Sequence, residues 1–254
     1  MRVKQFSILA VGLAILLALT FVACQKSPTE FTESLATATG TVKPPLQEID
    51  PEDFVEEVDN KFFPLQPGTT FFYQGITDGV PTTNETFVTH HTKKILGVKC
   101  VEVLDRAFED GVLAESTFDW YAQDVEGNVW YFGEDTRELD SLGNVISTQG
   151  AWEAGVNGSV PGIIMEANPR VGDRYRQEVA IGVAEDMAQV RSLNKSACVP
   201  YDCFDDLLLI KEWTPLDPGV VDYKYYAAGV GFILSVMVKG GDETSELVKI
   251  TTGN

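Results

Sequence analysis

The fold is decided by the stretch ILGVKCVEVLDRAFEDGVLAESTFDWYAQDVEGNVWYF, residues 95–132. Runs rich in Val, Phe, Trp and Tyr alternate in it with short groups of Gly, Asp and Asn. β-branched and aromatic residues favour strands, whereas Asp-Gly and Gly-Asn pairs adopt the positive φ angles that tight turns need. The alternation continues on both sides, with turn signals at Asp78-Gly79, Gly97, Asp110-Gly111, Gly127-Asn128 and Gly143-Asn144. The pattern predicts a series of antiparallel strands joined by short turns.

The C-terminal half predicts a second group of strands. Their predicted bounds are Tyr175–Ile181, Gln189–Ser196, Phe204–Trp213, Val221–Ala227, Phe232–Lys239 and Ser245–Ile250. Within this group, Leu207–Ile210 is apolar throughout, which is typical of a central strand covered on both faces. Gly, Pro and Asn cluster between Gly150 and Asn168, and we expect a long irregular loop there.

Little of the sequence predicts helix. Asp50 is a suitable N-cap and Pro51 suits a first helical turn, so we expect one short helix through Val58. Glu185–Ala188 predicts a second brief helical turn. With so little helix available, a sheet has to be covered by another sheet or by its own curvature. The predicted fold is mainly β: a single antiparallel β-sandwich, or an open, strongly curved β-barrel-like domain, with one or two short helices.

The N-terminus predicts export. A positively charged start precedes Phe6–Ala23, a stretch without any charged residue. The stretch ends in Leu19-Thr20-Phe21-Val22-Ala23-Cys24, which resembles the lipobox of bacterial lipoprotein signal peptides. The resemblance implies that residues 1–23 are removed and that Cys24 is acylated, anchoring the protein to the cell envelope at the outer membrane, its periplasmic face or the cell surface. An ordinary cleaved signal and an uncleaved helix are the alternatives.

Composition separates the rest of the chain into a linker and a domain. Residues 24–47 are rich in Ser, Thr and Pro and predict a flexible linker, followed by one β-rich globular domain over residues 48–254. The chain has 38 acidic and 19 basic residues, a formal net charge of −19. Such a surface repels nucleic acid and anionic lipid headgroups, so we expect no nucleic-acid partner and a contact with the bilayer only through Cys24.

The other cysteines differ in their sequence context. Cys198 and Cys203 flank the turn-like Val199–Asp202, and in an oxidising compartment this short spacing predicts a disulfide. A redox or metal-binding motif is the alternative, although the spacing is not C-x-x-C. Cys100 lies in a strand-like run, where a small buried thiol is expected.

Aromatic and acidic side chains are densest around a predicted hairpin whose loop is Asp124–Gly127. This loop would place Tyr121 opposite Trp130 and Trp120 opposite Tyr131. Aromatic faces beside carboxylates suit a sugar or a cation. The candidate ligand-binding residues are therefore Trp120, Tyr121, Trp130, Tyr131, Glu134 and Asp135. The alternative is a stacked hairpin that only stabilises the sheet.

The same hairpin offers oxygen ligands on alternate residues. Asp124, Glu126 and Asn128 form a candidate calcium site, but they lack the full EF-hand pattern. No other cofactor is expected.

Signals for catalysis are few. His90 and His91 are the two histidines, and neighbours on a strand point to opposite faces. The sequence has no G-x-S-x-G, no H-E-x-x-H and no phosphate-binding Gly-Lys-Ser/Thr loop. The carboxyl groups that could supply an acid/base pair are those of Glu134, Asp135, Glu153, Glu185 and Asp186. We therefore favour a non-catalytic protein and assign no catalytic residue.

Two further stretches carry a resemblance. FFPLQPGTTFFY, residues 62–73, and YYAAGVGFI, residues 225–233, resemble strands of a family of bacterial secreted proteins and lipoproteins. The middle of that family is similar to the Asp119–Ala122 hairpin. The resemblance implies an envelope protein with the curved open sheet of periplasmic lipoprotein carriers, whose concave face binds apolar ligands.

Three functions are compatible with these features. A binding module for a small apolar or aromatic ligand predicts a ligand-sized cavity. A structural or assembly lipoprotein that binds another envelope protein predicts an exposed apolar patch or a long unpaired strand edge. A carboxylate-dependent hydrolase such as a glycosidase predicts two carboxyl groups roughly 5 to 10 Å apart in a cleft.

Overall fold

The computed structural model describes residues 49–253. The predicted signal peptide, Cys24 and the linker through residue 47 lie outside the described residues. Residues 49–253 include no helix with the length and apolar character needed to cross a bilayer.

The described chain consists of one 3-10 turn, Pro51–Asp53, and eighteen β-strands. The strands are β1 (Phe54–Val55), β2 (Val58–Asn60), β3 (Phe63–Leu65), β4 (Thr69–Thr77), β5 (Val80–Ile95), β6 (Val98–Glu109), β7 (Val112–Asp124), β8 (Val129–Leu139), β9 (Val145–Ser147), β10 (Trp152–Glu153), β11 (Val160–Met165), β12 (Arg174–Arg176), β13 (Glu178–Val179), β14 (Met187–Cys198), β15 (Cys203–Thr214), β16 (Asp217–Ala227), β17 (Gly231–Lys239) and β18 (Thr244–Thr252).

Sixteen of these strands form one antiparallel sheet. The order across it is β12-β14-β15-β16-β17-β18-β4-β5-β6-β7-β8-β11-β13, with β1, β9 and β10 added beside β7 and β8. The remaining two strands, β2 and β3, form a separate hairpin, here called the cap hairpin.

The two ends of this sheet meet in one short segment. Arg174–Arg176 pairs with β14 at one end, and Glu178–Val179 pairs with β11 at the other, with only Gln177 between them. Because consecutive residues join opposite ends, the sheet is nearly closed into a barrel. The open, strongly curved barrel predicted from the sequence is therefore confirmed, and the sandwich is not formed.

The predicted central strand is also confirmed. Leu207–Ile210 lies in β15, and its four side chains are at most 4% exposed. Both faces of this part of the sheet are therefore covered, as the continuous apolar run predicts.

Part of β14 continues past the closing segment. Its later residues pair with β15 in an irregular register, which shifts repeatedly between Val190 and Ala197. Bulges of this kind, together with the exposed Arg191 and Lys195, discourage pairing with another chain. The strand ends in a disulfide between Cys198 and Cys203, which are register partners at the β14–β15 turn.

Cys100 keeps a free, fully buried thiol. Burial raises the pKa of this thiol to about 12, so it is inert at neutral pH.

The expected helices are the main difference from the sequence prediction. Asp50 does act as an N-cap, since its Oδ1 accepts the Glu52 N–H at 3.0 Å, but only one 3-10 turn follows. Phe54–Val55 then pairs with β7, which satisfies its backbone as a strand. The brief helix at Glu185–Ala188 is also wrong, because Met187 begins β14.

The expected loop between Gly150 and Asn168 instead contains strands β10 and β11. A glycine of β8 allows the backbone of β10 to approach closely. At Gly133 of β8, φ is 133° and an added Cβ would lie 2.3 Å from the Trp152 carbonyl oxygen. Gly133 therefore permits β10 to pack on β8.

Candidate functional site

The barrel encloses a cavity between β4–β8 on one side and β16–β17 on the other. The space available to the centres of water molecules is about 90 Å³. One water molecule needs ~10 to 15 Å³ of such space. The interior therefore has room for several water molecules or for a small organic molecule.

One end of the cavity is apolar. Its wall is formed by Phe63, Leu65, Phe71, Tyr73, Val230 and Phe232. The Phe63 ring meets the ring of Tyr121 edge to face at 5.2 Å, and the Tyr73 ring lies 5.2 Å from that of Phe232. Such ring contacts leave an aromatic surface that suits an apolar or aromatic molecule.

The cap hairpin closes this apolar end. The Asp59 N–H donates to Gln123 Oε1 at 3.0 Å, and Gln123 Nε2 donates back to Asp59 Oδ1 at 2.7 Å. Asn60 Nδ2 donates to the Gly127 carbonyl at 2.8 Å, and the Gly229 N–H donates to the Lys61 carbonyl at 2.8 Å. The cap hairpin is thus attached to two different turns of the barrel.

The opposite end of the cavity is polar, and we call it the acidic floor. Its side chains are Asp105, Glu115, Thr117, Asp119, Glu134 and Lys224. Most of them come from neighbouring positions of β6, β7 and β8. Thr117 lies between Asp105 of β6 and Thr136 of β8, and Asp119 lies directly opposite Glu134. Directly opposed residues have Cβ atoms ~5 Å apart, so these two carboxyl groups are close neighbours.

Hydroxyl groups of the barrel satisfy some of the carboxylate oxygens. Tyr131 OH donates to Asp119 Oδ1 at 2.5 Å, and Thr136 Oγ1 donates to Glu134 Oε2 at 2.8 Å. Thr117 Oγ1 lies 3.2 Å from Glu115 Oε1. Within the acidic floor, two buried oxygens are left without a hydrogen-bond partner, Glu115 Oε2 and Glu134 Oε1.

Burial changes the protonation of the floor. It raises the pKa of Glu134 to about 7, although the hydrogen bond from Thr136 opposes the change. The pKa values of Asp119 and Glu115 are raised well above their ordinary values, first by burial and then by the charge of Glu134. Close carboxyl groups in a low dielectric cannot all ionise, so the floor keeps protons near neutral pH.

Asp105 is held at the edge of this floor. It accepts hydrogen bonds from Asn84 Nδ2 at 2.5 Å and from Thr86 Oγ1 at 2.8 Å. Burial raises its pKa to about 6, and these hydrogen bonds limit the rise.

The positive charge facing the floor already has a partner. Lys224 Nζ lies 2.5 Å from Glu212 Oε2, and both side chains are at most 7% exposed. Burial lowers the pKa of Lys224, but the charge and hydrogen bond of Glu212 outweigh it and the net change is upward. Gln177 Nε2 donates to Glu212 Oε1 at 2.9 Å, which ties this ion pair to the closing segment of the barrel.

The period of two residues along β7 explains how the floor forms. Glu115, Thr117, Asp119 and Tyr121 point to the cavity, whereas Phe118 and Trp120 belong to the other face. The Lys93 ammonium covers Trp120 there, with Nζ 3.3 Å from the centre of the indole ring. From Glu115 to Asp119 the strand therefore points its polar residues inward, the reverse of an ordinary soluble strand.

The predicted ligand-binding residues are divided between these two faces. Tyr121 and Glu134 line the cavity, and Tyr131 stacks behind Tyr121 with ring centres 4.8 Å apart. Trp120, Trp130 and Asp135 belong to the outer face: Trp130 Nε1 donates to Asp124 Oδ2 at 2.8 Å, and Asp135 pairs with Arg137 at 2.7 Å.

The predicted hairpin register is wrong. Tyr121 lies opposite Tyr131, and Trp120 lies opposite Gly133 beyond a bulge. The turn is one residue longer than expected, because Asp124 Oδ1 accepts the Asn128 N–H at 2.8 Å.

Two of the three candidate calcium ligands make hydrogen bonds within or beside the turn. Asp124 Oδ2 accepts from Asn128 Nδ2 at 2.8 Å, Asn128 Oδ1 accepts the Ala167 N–H at 3.0 Å, and Glu126 is exposed. Within residues 49–253, no three His, Cys, Asp or Glu side chains are placed to hold a metal ion.

The other acid/base candidates are dispersed. Glu153 pairs with Lys93 at 2.7 Å, and Glu185 Oε1 accepts the Gly182 N–H at 2.8 Å. Asp186 is close to the Lys224 ion pair, and burial raises its pKa to about 8. His90 and His91 are both exposed.

Sequence reasoning missed the contribution of Asp105, Glu115 and Lys224 to the site. The signal that could have found the floor is the alternation Glu115-x-Thr117-x-Asp119 in one strand with Glu134-x-Thr136 in the next. The two stretches that carry the family resemblance also meet here, since residues 62–73 and 225–233 both line the cavity.

Comparisons with known proteins give no family. No protein-family model and no curated protein matches the sequence. A crystal structure from Bacteroides fragilis, provisionally named an exported protein with a YmcC-like fold, is similar at a TM-score of 0.45 and 15% identity, over 76% of this chain and 100% of that one. A crystal structure from Parabacteroides distasonis, provisionally named a lipoprotein, is similar at a TM-score of 0.36 and 12% identity, over 76% of this chain and 99% of that one.

Proposed function

We propose that this protein is a lipid-anchored, non-catalytic binding protein of the cell envelope, and that its barrel holds a small ligand with an apolar or aromatic body. The observation that carries the proposal is the cavity beneath the cap hairpin, with its wall of Phe63, Phe71 and Phe232. A core built only for stability would fill this space, because proteins are ordinarily packed with few voids. The lipobox at Cys24 supplies the proposed anchor.

The assembly function has less support. The sheet edges meet at residues 174–179, and the overhanging part of β14 is irregular and carries exposed charges. Large exposed apolar side chains such as Leu142 and Ile181 lie in separate turns. Neither feature resembles the continuous patch or flat edge that recruits another protein.

The hydrolase function has one favourable observation, the close pair of Asp119 and Glu134. The remainder of the cavity opposes it. A sugar needs many hydrogen-bonding partners, whereas the end of the cavity opposite this pair consists mainly of Phe, Leu and Val side chains. The cavity as a whole therefore suits a ligand with an apolar body better than glycoside cleavage.

The anchor is tested by labelling. In a bacterium that processes lipoproteins, radioactive palmitate is expected to enter the wild-type protein and the Cys100→Ala control, but not Cys24→Ala. Acylation requires the Cys24 thiol, whereas Cys100 is buried in the barrel. Label in Cys24→Ala, or none in the wild type, would overturn the lipoprotein assignment. Label is a better readout than sedimentation, since an unprocessed signal helix would itself stay in the membrane.

The cavity is tested with 2-phenylethanol, a neutral aromatic probe, by calorimetric titration of the intact protein in detergent. Because Val230 lines the cavity, Val230→Trp fills part of it and is expected to weaken binding about tenfold, or roughly 1.4 kcal/mol. Val238→Trp adds the same ring to a half-exposed position of β17 and is expected to bind as the wild type does. Equal binding by both variants would show that the probe sits elsewhere.

A further inference from the structure

When its carboxyl groups are ionised, the acidic floor has more hydrogen-bond acceptors than the protein supplies donors for. Glu115 and Glu134 are 4% and 2% exposed, and each has one buried oxygen without a partner. The neighbouring hydroxyls of Thr117, Thr136 and Tyr131 are already engaged with other carboxylate oxygens. A buried acceptor left without a donor costs ~1 to 3 kcal/mol, and more when it is charged.

The floor contains one positive charge, that of Lys224, against four carboxyl groups. Lys224 also forms an ion pair with Glu212. Arg106 and Arg137 pair with Glu85 and Asp135 on the outer side of the sheet. A buried carboxylate is stable only when it is paired or kept neutral by a proton.

We infer that the ligand carries a primary ammonium group, which binds the opposed carboxylates of Asp119 and Glu134 at the floor, with Glu115 farther along the same row, while its apolar or aromatic body extends towards the cap hairpin. This inference rests on the proposed binding function and names the chemistry of its ligand. An ammonium has three N–H donors and no acceptor, which matches a site that has acceptors to spare.

The geometry favours an ammonium over a metal ion. No three acidic, His or Cys side chains among residues 49–253 converge as metal ligands do. The carboxyl groups are instead spread along two strands, with Thr117 and Thr136 between them. The ring of Tyr121 adjoins the same row, and an aromatic face next to carboxylates attracts an organic cation.

The aromatic wall next to the floor requires the ligand to have an apolar body. Asp119 and Tyr121 are inward neighbours on β7, and Tyr121 in turn contacts Phe63 of the cap hairpin. A molecule whose ammonium rests on the floor would therefore place its body among the aromatic rings. Phenethylamine has both parts, and 2-phenylethanol is its uncharged counterpart.

The test is calorimetric titration of the intact protein with these two compounds at neutral pH. The wild type is expected to bind phenethylamine at least about tenfold more tightly than 2-phenylethanol, since a charge-assisted hydrogen bond contributes that much or more. Glu134→Gln is expected to bring the ratio close to one, and Glu115→Gln is expected to lower it.

Asp135→Asn is the matched control. It removes one carboxylate from the adjacent position of the same strand, but Asp135 pairs with Arg137 outside the cavity. The ratio is expected to stay at the wild-type value. A loss of preference in Asp135→Asn equal to that in Glu134→Gln would show a general effect of surface charge and overturn the inference.

The remaining outcomes distinguish a failure of the ammonium inference from a failure of the proposed binding function. If both compounds bind equally to the wild type and both are lost in Val230→Trp, the ammonium site is wrong and the binding function stands. If neither compound binds, both are wrong. Calcium that binds and displaces phenethylamine, with loss of calcium binding in Glu134→Gln, would overturn the ammonium site in favour of a metal.

Discussion

The free energy of unfolding is expected to fall by several kcal/mol between about pH 5 and about pH 8. Burial raises the pKa of Glu134 from 4.5 to about 7 and the pKa of Asp186 from 3.8 to about 8. Between the unfolded and folded pKa values, the folded chain holds protons that the unfolded chain has released. Raising the pH therefore favours unfolding.

This dependence of stability on pH is the opposite of that seen in ordinary acid denaturation. Carboxyl groups stabilised as anions contribute stability that disappears when the pH falls. Here the contribution is complete below the unfolded pKa, near 4.5 for Glu134, and is lost as the pH rises through its folded value of about 7. Asp105 and Asp222, whose pKa values burial raises to about 6, act in the same direction over the lower part of the range.

Urea unfolding of three proteins at both pH values checks this expectation. Glu134→Gln, uncharged like the protonated acid, is expected to match the wild type near pH 5 and to be more stable near pH 8. Asp135→Asn removes a surface charge from a chain of net charge −19 and controls for general repulsion. It is expected to keep the wild-type slope. A wild-type stability that rises with pH would contradict the buried, proton-holding floor.

Gly162→Ala is expected to destabilise the barrel by about 3 kcal/mol, because the closing segment has no room for a methyl group. Gly162 lies in β11, where an added Cβ would be 2.2 Å from the Gln177 carbonyl oxygen and 2.4 Å from its carbonyl carbon. Gln177 is the residue between the two halves of that segment. Backbone atoms cannot move aside as a flexible side chain can, so β11 and the segment around Gln177 have to move apart.

Gly219→Ala is the matched substitution. Gly219 is also in a strand, but an added Cβ would meet only the Asp217 side chain, at 3.2 Å. The free energy of unfolding of Gly219→Ala, measured in urea, is expected to stay within ~0.5 kcal/mol of that of the wild type. Equal midpoints for Gly162→Ala and the wild type would mean that the barrel does not close at Gln177.

Local sequence signals predicted most of the sheet, because a strand and its turn are encoded within a few residues. Asp78-Gly79 and Asp110-Gly111 occupy turns with positive φ, and the apolar Leu207–Ile210 lies in the covered part of β15. The helix after Asp50 was mispredicted, since its cap is a local signal whereas pairing with β7 is a long-range one.

The site was only partly predictable. Tyr121 and Glu134 were found because aromatic and acidic residues cluster near one turn. The longer turn altered the register, so that Tyr121 instead of Trp120 lies opposite Tyr131. Glu115 and Lys224 come from strands far apart in the sequence, and only closure of the sheet brings them to one cavity.

Whether the barrel holds a ligand is tested most directly by native mass spectrometry of the intact protein isolated from its own membranes. A bound molecule of low mass that contains an amine is expected to leave the wild-type protein and Val238→Trp on activation. It is expected to be missing from Val230→Trp, whose cavity is partly filled. A wild-type protein that carries nothing, or a molecule carried equally by Val230→Trp, would contradict a binding function for the cavity.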